Sequence, residues 1–257
     1  MRYTDLTTEE AGKELRERIL LVPVGSIEQH GPHLPLSVDC DIPAALCVAA
    51  GRHMPVLVGP TLPIGARSLP QSGGGVAGLP GTLFVRGEVL IAYLHDVLLS
   101  FVRAGARRVV LLNGHYENEA HIFEAVAQLE ERGALEGVCV LVVSWWSLID
   151  EDLVRRIHEA GYVGWHAEHA SFVETALMLH IRPSLVRDIR IDNDEPPAAG
   201  VMVVSGQASG PAHRGVLNKT SGATAEHGRN FFDAIVAGLL ACMRRSFGPV
   251  LAQECAE

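Results

Sequence analysis

The sequence predicts an α/β protein, an αβα three-layer sandwich built around a mostly parallel central sheet. Three observations carry that expectation. Short Val- and Leu-rich runs bounded by Gly or Pro alternate with longer amphipathic stretches, the order of parallel strands joined by crossover helices. Hydrophobic residues make up 48% of the 257 residues and aromatics only 5%, so the core is expected to be mainly aliphatic. No repeat, low-complexity segment or linker divides the chain, which reads as one domain over residues 1–257.

The runs ILLVPVG (19–25), VLVGPTL (56–62), RRVVLLNG (107–114) and VCVLVVSW (138–145) have the length and composition of buried strands. A helix is expected over 41–54, with Asp41 capping it and Pro43 in the first turn, where proline is tolerated. Further helices are expected over 87–106, 118–135, 148–160, 168–182 and 224–246. Between 190 and 223 the composition turns to Asp, Pro, Gly, Ser and Asn, and a long ordered loop is expected there.

Charge excludes several partners. The formal charge is −9 with no basic run, which argues against a surface for nucleic acid or for an acidic membrane. No apolar run reaches the roughly 18 residues of a spanning helix, and the N-terminal MRYTDLTTEEAGKELRERI lacks a signal peptide's apolar core. A cytoplasmic location is expected. The five cysteines show no C-x-x-C spacing, so neither a disulfide framework nor a thiolate zinc site is signalled. Cys47, Cys139 and Cys242 fall in strand or helix patterns and are expected to be buried free thiols.

The chemistry collects after two of the strands. Glu28 and His30 follow the first, His115 and Glu117 the third, and ligands of an open parallel sheet bind at such carboxyl ends. The i, i+2 spacing of each pair points both side chains one way in an extended segment. Asp39, just before the expected helix, has the reach to return to the same place as a bridge. Taken singly, each residue has an ordinary alternative as a cap or a turn hydrogen bond. Together, two imidazoles and three carboxylates form a donor set suited to two divalent ions, zinc, manganese or a mixed pair, with open positions for water and substrate.

A third cluster, GWHAEHASFVET (164–175), crowds Trp165, His166, Glu168 and His169 at an expected helix start. His169 is the best candidate there for proton transfer, because imidazole titrates near neutral pH. One of Trp145 and Trp146 is expected to face the core and the other the crevice. The Gly-rich loop 68–82 lacks a phosphate-binding pattern and reads as a substrate-binding wall, with Ser72 as a hydroxyl donor.

PVGSIEQHGPHLPLSVD, SGGG followed by PGT, ARRVVLLNGHYEN, SWW and GWHAEHASFVETALML together resemble the creatininase (creatinine amidohydrolase) family over nearly the whole chain. The resemblance implies a creatininase-like αβα fold, a binuclear metal centre and a hexamer. It also implies that one ion is held by Glu28, Asp39 and His115 and the other by His30, Asp39 and Glu117, with Ser72, Tyr116, Trp146, Trp165, His166 and Glu168 around a small-molecule amide and His169 handling the proton. Creatininases usually have Asp where this chain has His166, and the segment VAGL (76–79) is one residue longer than theirs and lacks their histidine. The expected reaction is metal-dependent hydrolysis of a non-peptide C–N bond, foremost the ring amide of creatinine. The alternatives are a formamide on a nucleotide-derived intermediate or a small processed peptide and, in another class, metal or ligand binding without catalysis.

Overall fold

A computed structural model describes residues 1–70, 79–158, 161–199 and 214–254. Four strands form one parallel sheet: β1 (Ile19–Val24), β2 (Val56–Val58), β5 (Arg108–Asn113) and β6 (Cys139–Ser144), in the order β2-β1-β5-β6. Two short strands, β3 (Gly65–Ala66) and β4 (Phe84–Val85), pair with each other in parallel. The helices are α1 (Thr8–Glu17), α2 (Val38–Ala50), α3 (Gly87–Ala104), α4 (Asn118–Glu131), α5 (Glu151–Ile157), α6 (Phe172–Ile181) and α7 (Ala225–Glu254).

Strand β1 is buried along its whole length and explains the layering. Its side chains alternate between the two faces. Ile19 and Leu21, with Val110 and Leu112 of β5, join one apolar core with α2, α6 and α7. Leu20, Val22 and Val24, with Val109 and Leu111, join a second with α1, α3 and α4. The three-layer αβα sandwich is therefore present. The chain leaves β1 for β2 on one side and returns to β5 on the other, so the sheet's order reverses between β1 and β5. That reversal opens a crevice beyond their carboxyl ends.

Several boundaries differ from those the sequence suggested. Helix α1 precedes the first strand, where no element was expected; a capping box between Thr7 and Glu10 starts it. Helix α2 begins after Ser37, so Asp41 is not its cap and instead accepts a hydrogen bond from Ser37 Oγ at 2.7 Å. Asp39 then lies in the first helical turn, and Pro43 lies deeper inside the helix. Trp145 and Trp146 lie in a 3-10 turn that follows β6, and α5 is shorter than the helix expected over 148–160. Cys139 opens edge strand β6 and is exposed, contrary to expectation, while Cys47 is buried. No helix among the described residues is long and apolar enough to cross a membrane.

Pro43 fixes how α2 meets the sheet. It has no N–H to give the carbonyl of Asp39 four residues earlier, and the ends of β1 and β5 close on that carbonyl instead. A Cβ at Gly114 would stand 2.2 Å from Asp39 O and 2.8 Å from Pro43 Cγ. Gly114→Ala should therefore cost about 1–3 kcal/mol by overpacking and push Asp39 away from its partners. Urea unfolding with metal analysis checks this; an alanine variant as stable as the parent would refute the close approach.

Candidate metal centre

The loops after β1 and β5 and the first turn of α2 converge in the crevice. Glu28, His30, Asp39 and His115 are all buried, at 3% exposure or less. His115 Nδ1 lies 3.0 Å from Glu28 Oε2 and 3.2 Å from Asp39 Oδ2. His30 Nε2 lies 3.2 Å from Asp39 Oδ1 and 3.6 Å from Glu174 Oε2. Asp39 thus faces one imidazole with each of its oxygens.

These contacts resolve into donor groups whose ligand atoms lie within 4.8 Å of one another: Glu28 with Asp39 and His115, His30 with Asp39 and Glu174, and Glu28 with His30 and His169. The first group is the one the resemblance implied. The second closes with Glu174, where the resemblance placed Glu117. Glu117 lies on the other side of the His115 ring, its Oε2 3.4 Å from Nε2, and its Oε1 accepts from the Leu69 N–H at 3.0 Å. It precedes α4 in a helical conformation, not in the extended one assumed for i, i+2 spacing. Glu117 stands outside the three donor groups in this arrangement, yet its charge still acts on both Glu28 and His115.

Sequence reasoning missed Glu174. The signal was present: it is an acidic residue inside the apolar helix FVETALMLHI, and it is buried. A buried carboxylate requires partners. Ala170 N–H supplies one at 2.7 Å and His30 faces it as well.

The backbone tests whether this set suits a cation. His30 Nδ1 lies 3.1 Å from the Glu28 carbonyl, and His115 Nε2 lies 3.2 Å from the Ala66 carbonyl. Each carbonyl favours N–H on the nitrogen it faces, so in the neutral rings the other nitrogen carries a lone pair. Those lone pairs point at carboxylates, a repulsive arrangement unless the rings are protonated or a cation stands between. His30 Nε2 and Asp39 Oδ2 are buried and make no hydrogen bond among the described residues. The donor set therefore fits divalent metal.

Electrostatics agree. Burial pushes the Glu28 carboxyl up to about 7, against the opposing pull of His115. Burial also pushes His115 down, but Glu28 and Glu117 outweigh it and hold the ring well above its usual range. His30 is raised in the same way, Asp39 and Glu174 outweighing its burial. For Asp39 burial acts upward, and His30 and His115 overcome it, keeping the carboxyl below its usual range.

Around this centre, Tyr116 stacks on Trp146 with ring centroids 5.9 Å apart. Trp146 and Trp165 each pack edge-on against the buried Trp145 at 5.6 Å; Trp145 belongs to the core and Trp146 is half-buried against it. His166 Nε2 is tied to the Pro197 carbonyl at 3.1 Å. Glu168 and His169 lie between a 3-10 turn over Trp165–Ala167 and α6, which begins only at Phe172. Glu168 is buried and accepts from Val173 N–H at 3.1 Å, which gives it a helix-capping role beside the substrate-lining one that was implied. Burial holds its carboxyl well above the usual range. His169 comes within 3.9 Å of Glu28 Oε2 through Nδ1 and lies 4.4 Å from the His30 ring, centroid to centroid. Ala170, next to it, adopts a left-handed φ of 52°, local strain of the kind that gathers at functional sites. Ser72 lies outside the described residues.

The chain matches the creatininase family model, described as creatinine amidohydrolase, over residues 4–243. It belongs to the creatininase family. It is 36% identical over 240 residues to a creatinine amidohydrolase of Pseudomonas putida, with 90% of each chain covered. It is also 31% identical over 235 residues to a mycofactocin precursor peptide peptidase of Mycolicibacterium smegmatis, covering 86% of this chain and 82% of that one. A glutamate-to-glutamine mutant creatininase of Zn-Zn type superposes at a TM-score of 0.88 with 32% identity, covering 96% of this chain and 98% of that one. A Mn creatininase superposes at 0.87 with the same identity and coverage. Family membership makes the protein a metal-dependent hydrolase of the amidohydrolase type, and the donor groups described above are its candidate ligands.

Proposed function

We propose that this creatininase-family hydrolase opens a small cyclic amide, foremost the ring amide of creatinine, to give creatine. The observation that carries the proposal is the pair of donor groups sharing Asp39 beside the stacked Tyr116 and Trp146. Glu28, Asp39 and His115 would hold one divalent ion, and His30, Asp39 and Glu174 the other. Such ions would supply an activated water near neutral pH and polarise the carbonyl.

The protein's own groups do the rest. Tyr116 and Trp146 offer aromatic surface against which a flat ring can lie. The Ala66 carbonyl and Glu117 orient His115, and the Glu28 carbonyl orients His30. Ser68 Oγ donates to Glu28 Oε1 at 2.6 Å and fixes that carboxylate. His169 faces the centre from the α6 side and completes it as the group that handles hydrogen in the reaction. A cytoplasmic homo-oligomer, hexameric by the family resemblance, belongs to the same proposal.

A second substrate class has its own support. The peptidase relatives share about the same length of chain, and the His166 ring is engaged with Pro197 where creatininases usually have a carboxylate for a cationic, guanidine-like substrate. A processed peptide or a formamide is therefore the competitor. The experiment treats the protein with chelator, restores Zn²⁺ or Mn²⁺, and compares kcat/KM across creatinine, other cyclic amides, formamides and short peptides. Activity should vanish and return with metal and be highest for creatinine. Undiminished turnover in metal-free protein refutes the mechanism, and a higher specificity constant for a peptide refutes the substrate.

A further inference from the structure

Gln29 sits between two residues of the centre and is itself buried, at 4% exposure. Its side-chain amide is fully engaged. Oε1 accepts from the Gly31 N–H at 3.1 Å, and Nε2 donates to the Gly215 carbonyl at 3.3 Å. Turning the amide over would set donor against donor at Gly31 and acceptor against acceptor at Gly215, so these two backbone groups fix which end is which. The second proton on Nε2 then points at His169 Nε2, 2.9 Å away. An amide nitrogen can only donate. His169 Nε2 must therefore accept.

The seat is built into the chain. Gly215 has a φ of +84°, and a Cβ there would stand 2.0 Å from Gln29 Oε1, so no other residue fits beside the amide. Thr82 Oγ1 lies 3.1 Å from the Gln29 backbone nitrogen and anchors it from the other side. The carbonyl of His169 accepts from Leu217 N–H at 3.1 Å, which holds the histidine to the segment that carries Gly215.

We infer that Gln29 is a positioning residue that holds His169 with Nε2 accepting and the ring proton on Nδ1, so that His169 offers the reacting amide a hydrogen bond. Nδ1 is the nitrogen that faces the centre, 3.9 Å from Glu28 Oε2. A protonated Nδ1 has no lone pair for a metal ion, so His169 is excluded from ligation although it lies within reach of Glu28 and His30. The role that remains is a fixed donor aimed at charge developing on the substrate oxygen, as a neutral imidazole can provide.

The inference rests on the amide hydrolysis proposed above, and two readouts separate them. In the Zn²⁺-loaded protein labelled with ¹⁵N-histidine, the His169 signals, identified by their loss in His169→Asn, should show a neutral ring protonated at Nδ1. Gln29→Glu, which replaces the donor by an acceptor, should move the proton to Nε2 with two ions still bound. In turnover, His169→Ala should lose about 10²–10³-fold in kcat with little change in KM. His169→Asn, whose amide N–H takes the place of Nδ1–H, should recover at least about tenfold of that. An Nε2–H or doubly protonated His169 in the parent protein overturns the inference whether or not any amide is hydrolysed. An asparagine variant no better than alanine, in a protein with the Nδ1–H ring, overturns the donor role. A parent protein that hydrolyses no amide, with the ring as inferred, overturns the proposed function alone.

Discussion

Asp39→Ala should give a folded protein that holds neither metal ion and hydrolyses no amide at a measurable rate. Asp39 joins the Glu28–His115 group to the His30–Glu174 group, and its two oxygens face His115 and His30 at the same distance of 3.2 Å. Removing it takes one of three donors from each group at once. It also removes the carboxylate that both imidazoles oppose, so a cation would find fewer compensating charges on either side. The fold should survive, because the side chain lies in the first turn of α2 and contributes nothing to the two apolar cores. Elemental analysis per chain, read beside the circular dichroism of the variant, gives the answer. A folded variant that retains one ion at full occupancy would show that Asp39 does not bridge.

How far the sequence revealed this site depends on chain distance. β1 and β5 are short aliphatic runs buried on both faces, and their loops carry Glu28, His30, His115 and Glu117 directly. Local composition was enough to single out those residues as candidates, because strand and candidate are neighbours in sequence. Asp39 was legible as a donor but not as part of a helix. Ser37 and Asp41 both look like caps, and only the approach of Gly25 and Gly114 to the Asp39 carbonyl decides where α2 meets the sheet. Gln29 drew no notice, since a glutamine between two ligands carries no charge and its meaning appears only when Gly215 and His169 close around it.

Glu174 was hidden for a different reason. It stands more than a hundred residues after His30 in a helix that packs with α2 and α7 in one apolar core, and nothing in local periodicity says which way its carboxylate points. Glu117 was expected as a donor from its spacing to His115 and from the family resemblance. Their shared loop turns at residues 116–117 to start α4, which sets Glu117 Oε2 against His115 Nε2 at 3.4 Å. A spacing rule for extended chain does not hold across a helix start.

Glu174→Gln should therefore remove one ion and leave the other, with turnover lowered by more than the 10–100-fold that losing a partner of a metal ligand usually costs. The glutamine keeps an oxygen to accept from Ala170 N–H, which now bonds Glu174 Oε2 at 2.7 Å, so the turn that presents His169 should persist. What it loses is the negative charge that faces His30 Nε2 at 3.6 Å. His115→Ala should also leave one ion, the one held beside His30, because His115 joins Glu28 and Asp39 in the other group. The double variant should hold neither. Metal content of two, one, one and none across parent, Glu174→Gln, His115→Ala and the pair is the pattern two independent sites sharing Asp39 require. A Glu174→Gln protein that keeps both ions would return the second site to Glu117, and its carboxylate would then have to swing past the His115 ring to reach Asp39.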